Sequence, residues 1–571
     1  MRRISRIFVL VILVLVCLIV FCTRHYVAQH EGELFHNVIV LIPDGCGVAH
    51  MTVARWFKGA PLAQDSMDVS LVRTFSANSM ITGSAAAATA FATGYKTWED
   101  SKKAKCLSMR PDSLLLPHAQ ELPASEQWRP AATVLEGARL AGKAVGLVAT
   151  CRASHATPAA YASHWHSRSD DNVIIEQMVY QNLDVVFGGG FRYLIDVDTE
   201  IPGRVFKGTR RDGENLYEVL LSKGYYVIST KDELYALESS IRKVWGIFAD
   251  GHMAHDIDRQ LLAPEEPSLM EMTKKALDIL SQNPEGFFLM VEGSSVDWSS
   301  HDNDPVGVVT DYLAFDEAVK ATLEFAASHP EQRTLVLLFP DHDCGGLSLG
   351  NWGVESYAFN PDDMVDIINK ASLTAEGVEV FIKNSKDNCH PGTIKKILTQ
   401  YYGIDDLTSE EMDEILAELS DTVYCNLGAV IGPMLSERAG IGWATFDHTG
   451  NDVPMFCYGL SRALQNIDNT EIAHLCARAL GFRLGDVTER LFADAGELFE
   501  RATLTIDTVG VQVSDGHLVV QKNTKRAMFP FFKNIMIIDQ DTIPVEGITV
   551  YSLYAHKVFL PRQAAELFEK Y

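Results

Sequence analysis

Asn37-Val38-Ile39-Val40-Leu41-Ile42-Pro43-Asp44-Gly45-Cys46-Gly47 reads as a buried strand that runs out into a carboxylate and two glycines. An apolar run this short, Asn37–Ile42, is the pattern of a strand covered on both faces. Three more runs share it: Val145–Ala149, Phe287–Val291 and Thr334–Phe339. Helix-like stretches separate them, at Ala132–Ala141, Leu269–Leu280 and Tyr312–Ala327. The alternation predicts an α/β fold built on a mostly parallel sheet. Polar residues follow every strand. Asp44 follows the first, Arg152, His155 and Thr157 the second, Glu292 the third, and Asp341-His342 the fourth. In open α/β sheets, sites gather outside the carboxyl ends of the strands.

The chain has 571 residues, enough for one large domain with insertions or for several domains. Hydrophobic residues make up 47% and charged residues 22%, ordinary shares for a globular protein. A net charge of −26 argues against nucleic acid or anionic lipid as a partner. Any anionic ligand would need local cations to reverse that field. Arg2, Arg3 and Arg6 precede an unbroken apolar run from Ile7 to Cys22, the order of an export signal. Three readings of residues 1–30 stay open: an uncleaved anchor, a cleaved signal, and lipid attachment through Cys22. Each leads to an exported chain, periplasmic or on the outer face of a membrane. Eight of the ten cysteines lie beyond that segment and none forms a CxxC pair, which argues against a cysteine zinc cluster.

Outward from the strands, Ile81-Thr82-Gly83-Ser84-Ala85-Ala86-Ala87-Ala88-Thr89-Ala90-Phe91-Ala92-Thr93 places a serine where an alanine-rich helix starts. A helix start offers unpaired N–H groups and the positive end of a dipole, both suited to phosphate. Asp297 and His301 are four residues apart, on one helical face. Asp341-His342 is matched by a distant His448 in Asp447-His448-Thr449-Gly450. Mixed Asp and His donors suit zinc, and the oxygen-rich remainder suits magnesium.

These clusters, in this order, resemble the alkaline phosphatase family of two-zinc, one-magnesium enzymes. The serine run matches the family's Asp-Ser-Ala-Ala-x-Ala-Thr-Ala signature at all but one position, and the similarity spans roughly residues 37 to 480. Phe187-Gly188-Gly189-Gly190 and Gly251-His252-Met253 add to it, with the glycines expected in turns and His252 in a structural role. The resemblance implies a three-layer α/β/α sandwich around the sheet. It implies that Asp297, His301 and His448 hold the first zinc. Asp341 and His342, with Asp44 and the Ser84 oxygen, hold the second. Asp44, Thr157 and Glu292 hold magnesium, with His155 beside it. His155 and Trp298 place the chain in the His/Trp subgroup, in which His155 acts mainly through a magnesium-bound water. Ser84 is then the nucleophile and Arg168 the fork on the phosphate, and phosphate monoesters are hydrolysed through a phosphoserine. The departure is Gly83, where the family has an aspartate that orients the arginine. A looser Arg168 and a weaker hold on phosphate are expected.

Residues 31–500 read as the catalytic domain. A helical, acidic insertion at about 351–440 is placed to roof the site or to join two copies in a homodimer. Residues 501–571 read as a β-rich appendage. Three alternatives stand beside the monoesterase: a phosphodiesterase, a phosphomutase, and a membrane-anchored phosphate- or metal-binding protein without turnover.

Overall fold

The computed structural model describes residues 33–100, 104–111, 122–201, 206–354, 357–421, 424–508 and 515–571. The export reading of residues 1–30 lies outside them. Ten strands form the central sheet: β1 (Asn37–Pro43), β2 (Asp68–Arg73), β3 (Ala144–Arg152), β4 (Val185–Gly189), β5 (Tyr226–Ile228), β6 (Val244–Ile247), β7 (Phe287–Gly293), β8 (Thr334–Leu338), β9 (Val453–Tyr458) and β10 (Ile467–Asp468). Their order is β10-β2-β9-β8-β1-β7-β3-β4-β6-β5. All pairings are parallel except those of β9 with β8 and with β2. The four strands expected from sequence are the central four, β8, β1, β7 and β3.

Period-two alternation explains why those strands read as unbroken apolar runs. Val38, Val40 and Ile42 of β1 enter the core on one face, and Ile39 and Leu41 enter the core on the other. In β7, Phe288 and Met290 share the first face, while Phe287, Leu289 and Val291 share the second. Helices cover both faces, giving the three-layer α/β/α sandwich. They include α1 (Val48–Lys58), α2 (Ser84–Thr93), α3 (Ala156–Ala162), α4 (Leu269–Leu280), α5 (Ser295–His301) and α6 (Pro305–Ser328). The first face carries α2, α3 and the helix Asn469–Ala479; the second carries α1, α4 and α6. Asp304 caps α6 by accepting from the Val306 N–H, with Pro305 at the first helical position.

Gly188 and Gly189 are strand residues, not turn residues as their run suggested. A side chain on Gly189 would place its Cβ 2.0 Å from the Gly251 carbonyl oxygen, so glycine is what lets the two backbones meet. Only Gly190, at φ 97°, makes the turn.

Between residues 357 and 440, five α-helices surround their own apolar cluster, which also takes in Val306, Val308 and Val309 of α6. One of them, Ser409–Ser420, starts with a reciprocal cap. The Glu411 N–H donates to Thr408 Oγ1 at 3.1 Å, and the Thr408 N–H donates to Glu411 Oε2 at 2.8 Å. Beyond Thr503 comes a five-stranded antiparallel sheet, whose core reaches Trp165 and Val173 of the main fold. The eight cysteines from Cys46 onward are free thiols. Among the described residues, no helix is long and apolar enough to cross a membrane.

All ten residues of α2 are buried, and the helix lies against α3 and Asn469–Ala479. Alanine permits that approach, so Ala87→Leu should destabilise the protein by about 1–3 kcal/mol. A denaturant melt at wild-type stability would contradict this tight packing.

Candidate active site

The register of the central strands brings the polar residues level. Ile42 of β1 and Ala149 of β3 both pair with Glu292 of β7. Asp44 therefore emerges beside Glu292, and its N–H donates to the Gly293 carbonyl at 3.2 Å. Past β8, Asp341 Oδ1 accepts from the N–H groups of Gly45 at 3.1 Å and His342 at 2.9 Å. Helix α5 sets Asp297 and His301 one turn apart, with Oδ2 and Nε2 3.5 Å from each other. His448 arrives on a two-residue bridge in which it lies opposite Cys344.

Three donor groups result, each with its ligand atoms within 4.8 Å of one another. The first is Asp297, His301, His448 and Cys344; the second is Asp44, Asp341 and His342; the third is Glu292, His155 and Cys151. The first two meet where the rings of His342 and His448 stack at 3.6 Å. Asp44 and Glu292 lie within mutual electrostatic reach, which joins the third group to the second. Among the described residues, Asp44 Oδ1 and Oδ2, Thr157 Oγ1, Glu292 Oε1, Asp297 Oδ1, Asp341 Oδ2, His155 Nδ1 and His342 Nδ1 are buried without a hydrogen-bond partner. Buried polar atoms are rarely left so, and the six oxygens among them fit a set of cation ligands.

Backbone carbonyls fix two of the imidazoles. His301 Nδ1 donates to the Phe446 carbonyl at 2.5 Å, and His448 Nδ1 donates to the Thr82 carbonyl at 2.8 Å. Each ring then presents the lone pair of Nε2, and the two Nε2 atoms lie 3.2 Å apart. Burial, together with Asp341, Asp297 and Glu292, holds the Asp44 carboxyl well above its usual range. Burial likewise pushes Glu292 up to about 7. Burial and the neighbouring His342 bring His448 down to about 4.

Ser84, 2% exposed, opens α2 with its Oγ 3.4 Å from His342 Nε2. Thr157 lies in the first turn of α3, which starts directly after His155. Arg168 is half-buried, and its Nη2 donates to His155 Nε2 at 2.8 Å. The structure thus gathers Ser84 and all nine expected ligands at one end of the sheet, and ties Arg168 to them through His155.

A family model of alkaline phosphatases matches residues 35–482. The chain belongs to the alkaline phosphatase family. It is 34% identical over 470 residues to alkaline phosphatase 3 of Bacillus subtilis, a match covering 78% of this chain and 89% of the relative. The repressible alkaline phosphatase of Saccharomyces cerevisiae is 30% identical over 515 residues, covering 81% and 84%. Among solved structures, the alkaline phosphatase of Thermus thermophilus superposes with a TM-score of 0.68 at 28% identity, covering 79% of this chain and 93% of that one. Alkaline phosphatases hydrolyse phosphate monoesters and depend on metal ions, and this chain is an enzyme of that kind.

Sequence reasoning missed three residues at this alkaline phosphatase site. Cys344 follows His342 by two positions, and its bridge to His448 turns it toward the first group. Cys151 is next to last in β3, with Sγ 3.4 Å from Glu292 Oε2. Glu99 comes from a short hairpin and reaches Gly83. The donor spacing around Asp341 was a usable signal for Cys344; Glu99 had none, because its approach depends on tertiary structure.

Raised carboxyl pKa values carry a stability consequence. The folded, metal-free chain keeps protons on Asp44 and Glu292 to higher pH than the unfolded chain does, because burial and neighbouring carboxylates raise both. The Glu292 contribution is full below the ordinary carboxylate range and lost as pH climbs through about 7. The Tm gap between metal-loaded and chelated protein should therefore widen from about pH 5 to about pH 8. A constant or narrowing gap in calorimetry would contradict the crowding of these carboxylates.

Proposed function

We propose that Ser84 is the nucleophile of this phosphomonoesterase, that Arg168 holds the transferred phosphoryl group, and that the three donor groups take two zinc ions and one magnesium ion. The observation that supports this reading best is a buried serine at a helix start, with its Oγ 3.4 Å from an imidazole that shares a pocket with unpartnered buried carboxylate atoms. Asp297, His301 and His448 would hold one zinc, and Asp341, His342 and Asp44 the other, since nitrogen and carboxylate donors suit that ion. Asp44, Glu292 and Thr157 supply oxygens suited to magnesium. His155 Nε2 already accepts from Arg168, which favours a role for His155 in orienting the guanidinium. When bound, the metals supply positive charge that favours ionised hydroxyl and water and offsets charge on the phosphoryl oxygens.

The residues then divide the work. Arg168 presents a planar fork to two phosphoryl oxygens. The N–H groups opening α2 face the same anion. Ser84 Oγ gives its proton to solvent and attacks phosphorus; the new O–P bond forms as the bond to the alcohol oxygen breaks, and the alkoxide leaves with that electron pair and takes a proton from solvent. A water then attacks the same phosphorus, the Oγ–P bond breaks, and Ser84 is regenerated with inorganic phosphate as product. Export of the chain through residues 1–30 is part of the same reading, supported by the order of basic and apolar residues there.

Ser84→Ala should lower turnover of an aryl phosphate by about three orders of magnitude or more. Acid quenching of the wild type should trap a phosphate on the peptide carrying Ser84. Full turnover by Ser84→Ala, or a trapped phosphate elsewhere, would refute the assignment. In the wild type, aryl phosphate should turn over far faster than bis-aryl phosphate or aryl sulfate; the reverse order would refute the monoester reading.

A further inference from the structure

Gly83 has an ordinary extended backbone, φ −111° and ψ 171°, so nothing in its conformation calls for glycine. What glycine leaves there is room for a carboxylate. A Cβ built there would lie 2.9 Å from the Glu99 carboxylate carbon and Oε2, and 3.0 Å from Oε1. The Glu99 backbone is held on both sides of the peptide. Its N–H donates to Asn78 Oδ1 at 2.8 Å, and its carbonyl accepts from Asn78 Nδ2 at 3.0 Å. The Ala77 N–H donates to the Thr97 carbonyl at 2.9 Å, which fastens the same hairpin from the other side. The result is a carboxylate against the residue that precedes Ser84, at the mouth of α2. Glu99 also lies within electrostatic reach of His342.

We propose that Glu99 tunes the affinity of the phosphate pocket: its carboxylate fills the space that Gly83 leaves beside Ser84 and weakens the hold on inorganic phosphate. Two physical effects act together. A carboxylate at a helix start neutralises part of the positive end that would otherwise attract the product. It also repels a phosphate anion directly. The consequence is easier product release from a site otherwise rich in cations. Placing an aspartate at position 83 would set two carboxylates against each other, so Glu99 is the residue to alter. The inference rests on Ser84 marking the phosphate site.

The test is calorimetric titration of inorganic phosphate into zinc- and magnesium-loaded protein, with KM and kcat measured alongside. Glu99→Gln should lower the phosphate Kd by about fivefold and lower the inhibition constant in step, without raising kcat. Gly83→Ala, whose Cβ displaces the carboxylate, should shift Kd the same way, and the double variant should add little. A carboxylate that only props up the hairpin would lower kcat and leave the phosphate Kd unchanged. An unchanged or weaker Kd in Glu99→Gln overturns the proposal. Phosphate binding that tightens in Glu99→Gln while Ser84→Ala retains full turnover would uphold the charge effect and sink the nucleophile assignment instead.

Discussion

Four carboxylates, Asp44, Glu292, Asp297 and Asp341, are buried side by side at the ends of neighbouring elements, and this crowding governs the rest of the molecule. Like charges so placed are tolerated only when protonated or when cations sit among them. The imidazoles of His301, His342 and His448 interleave with the acids but do not saturate them, and several carboxylate oxygens keep no hydrogen-bond partner. A chain with a net charge of −26 and an anionic substrate needs a local reversal of field. Divalent ions in this pocket meet both needs at once.

The fold holds the acids together against their repulsion. Three adjacent parallel strands, of which β1 and β7 are buried along their whole length, put Asp44, Glu292 and the Arg152–Thr157 segment in register. The alanine-rich α2 brings Ser84 to the same edge because its small side chains allow burial all round. Carbonyls of Thr82 and Phe446, from segments far apart in the chain, lock the histidine rings. Each support is a packed or hydrogen-bonded element, so the pocket is formed before substrate arrives.

The four central strands were legible because burial on both faces leaves an uninterrupted apolar run. Helix Leu269–Leu280 was legible from end to end, since one face meets the sheet and the other meets water. The start of α6 was not, because Val306, Val308 and Val309 turn into the cluster of the inserted helices and blur the helical period. Strand β4 was hidden by its glycines, which serve a close backbone approach. At the site, the acidic and imidazole residues that the structure gathers were legible as residue types following strands and as a known signature. Cys151 and Glu99 were not, because their proximity depends on a strand end and a hairpin brought close only by folding.

Cations in the pocket that Asp44 joins to Asp341, His342 and Glu292 are what the buried acids require. Anomalous diffraction at the zinc edge from protein purified without chelator tests this requirement most directly. Two zinc peaks about 4 Å apart, one among Asp297, His301 and His448 and one among Asp44, Asp341 and His342, are the predicted result. No zinc peak in either group, in crystals of active enzyme, would contradict it.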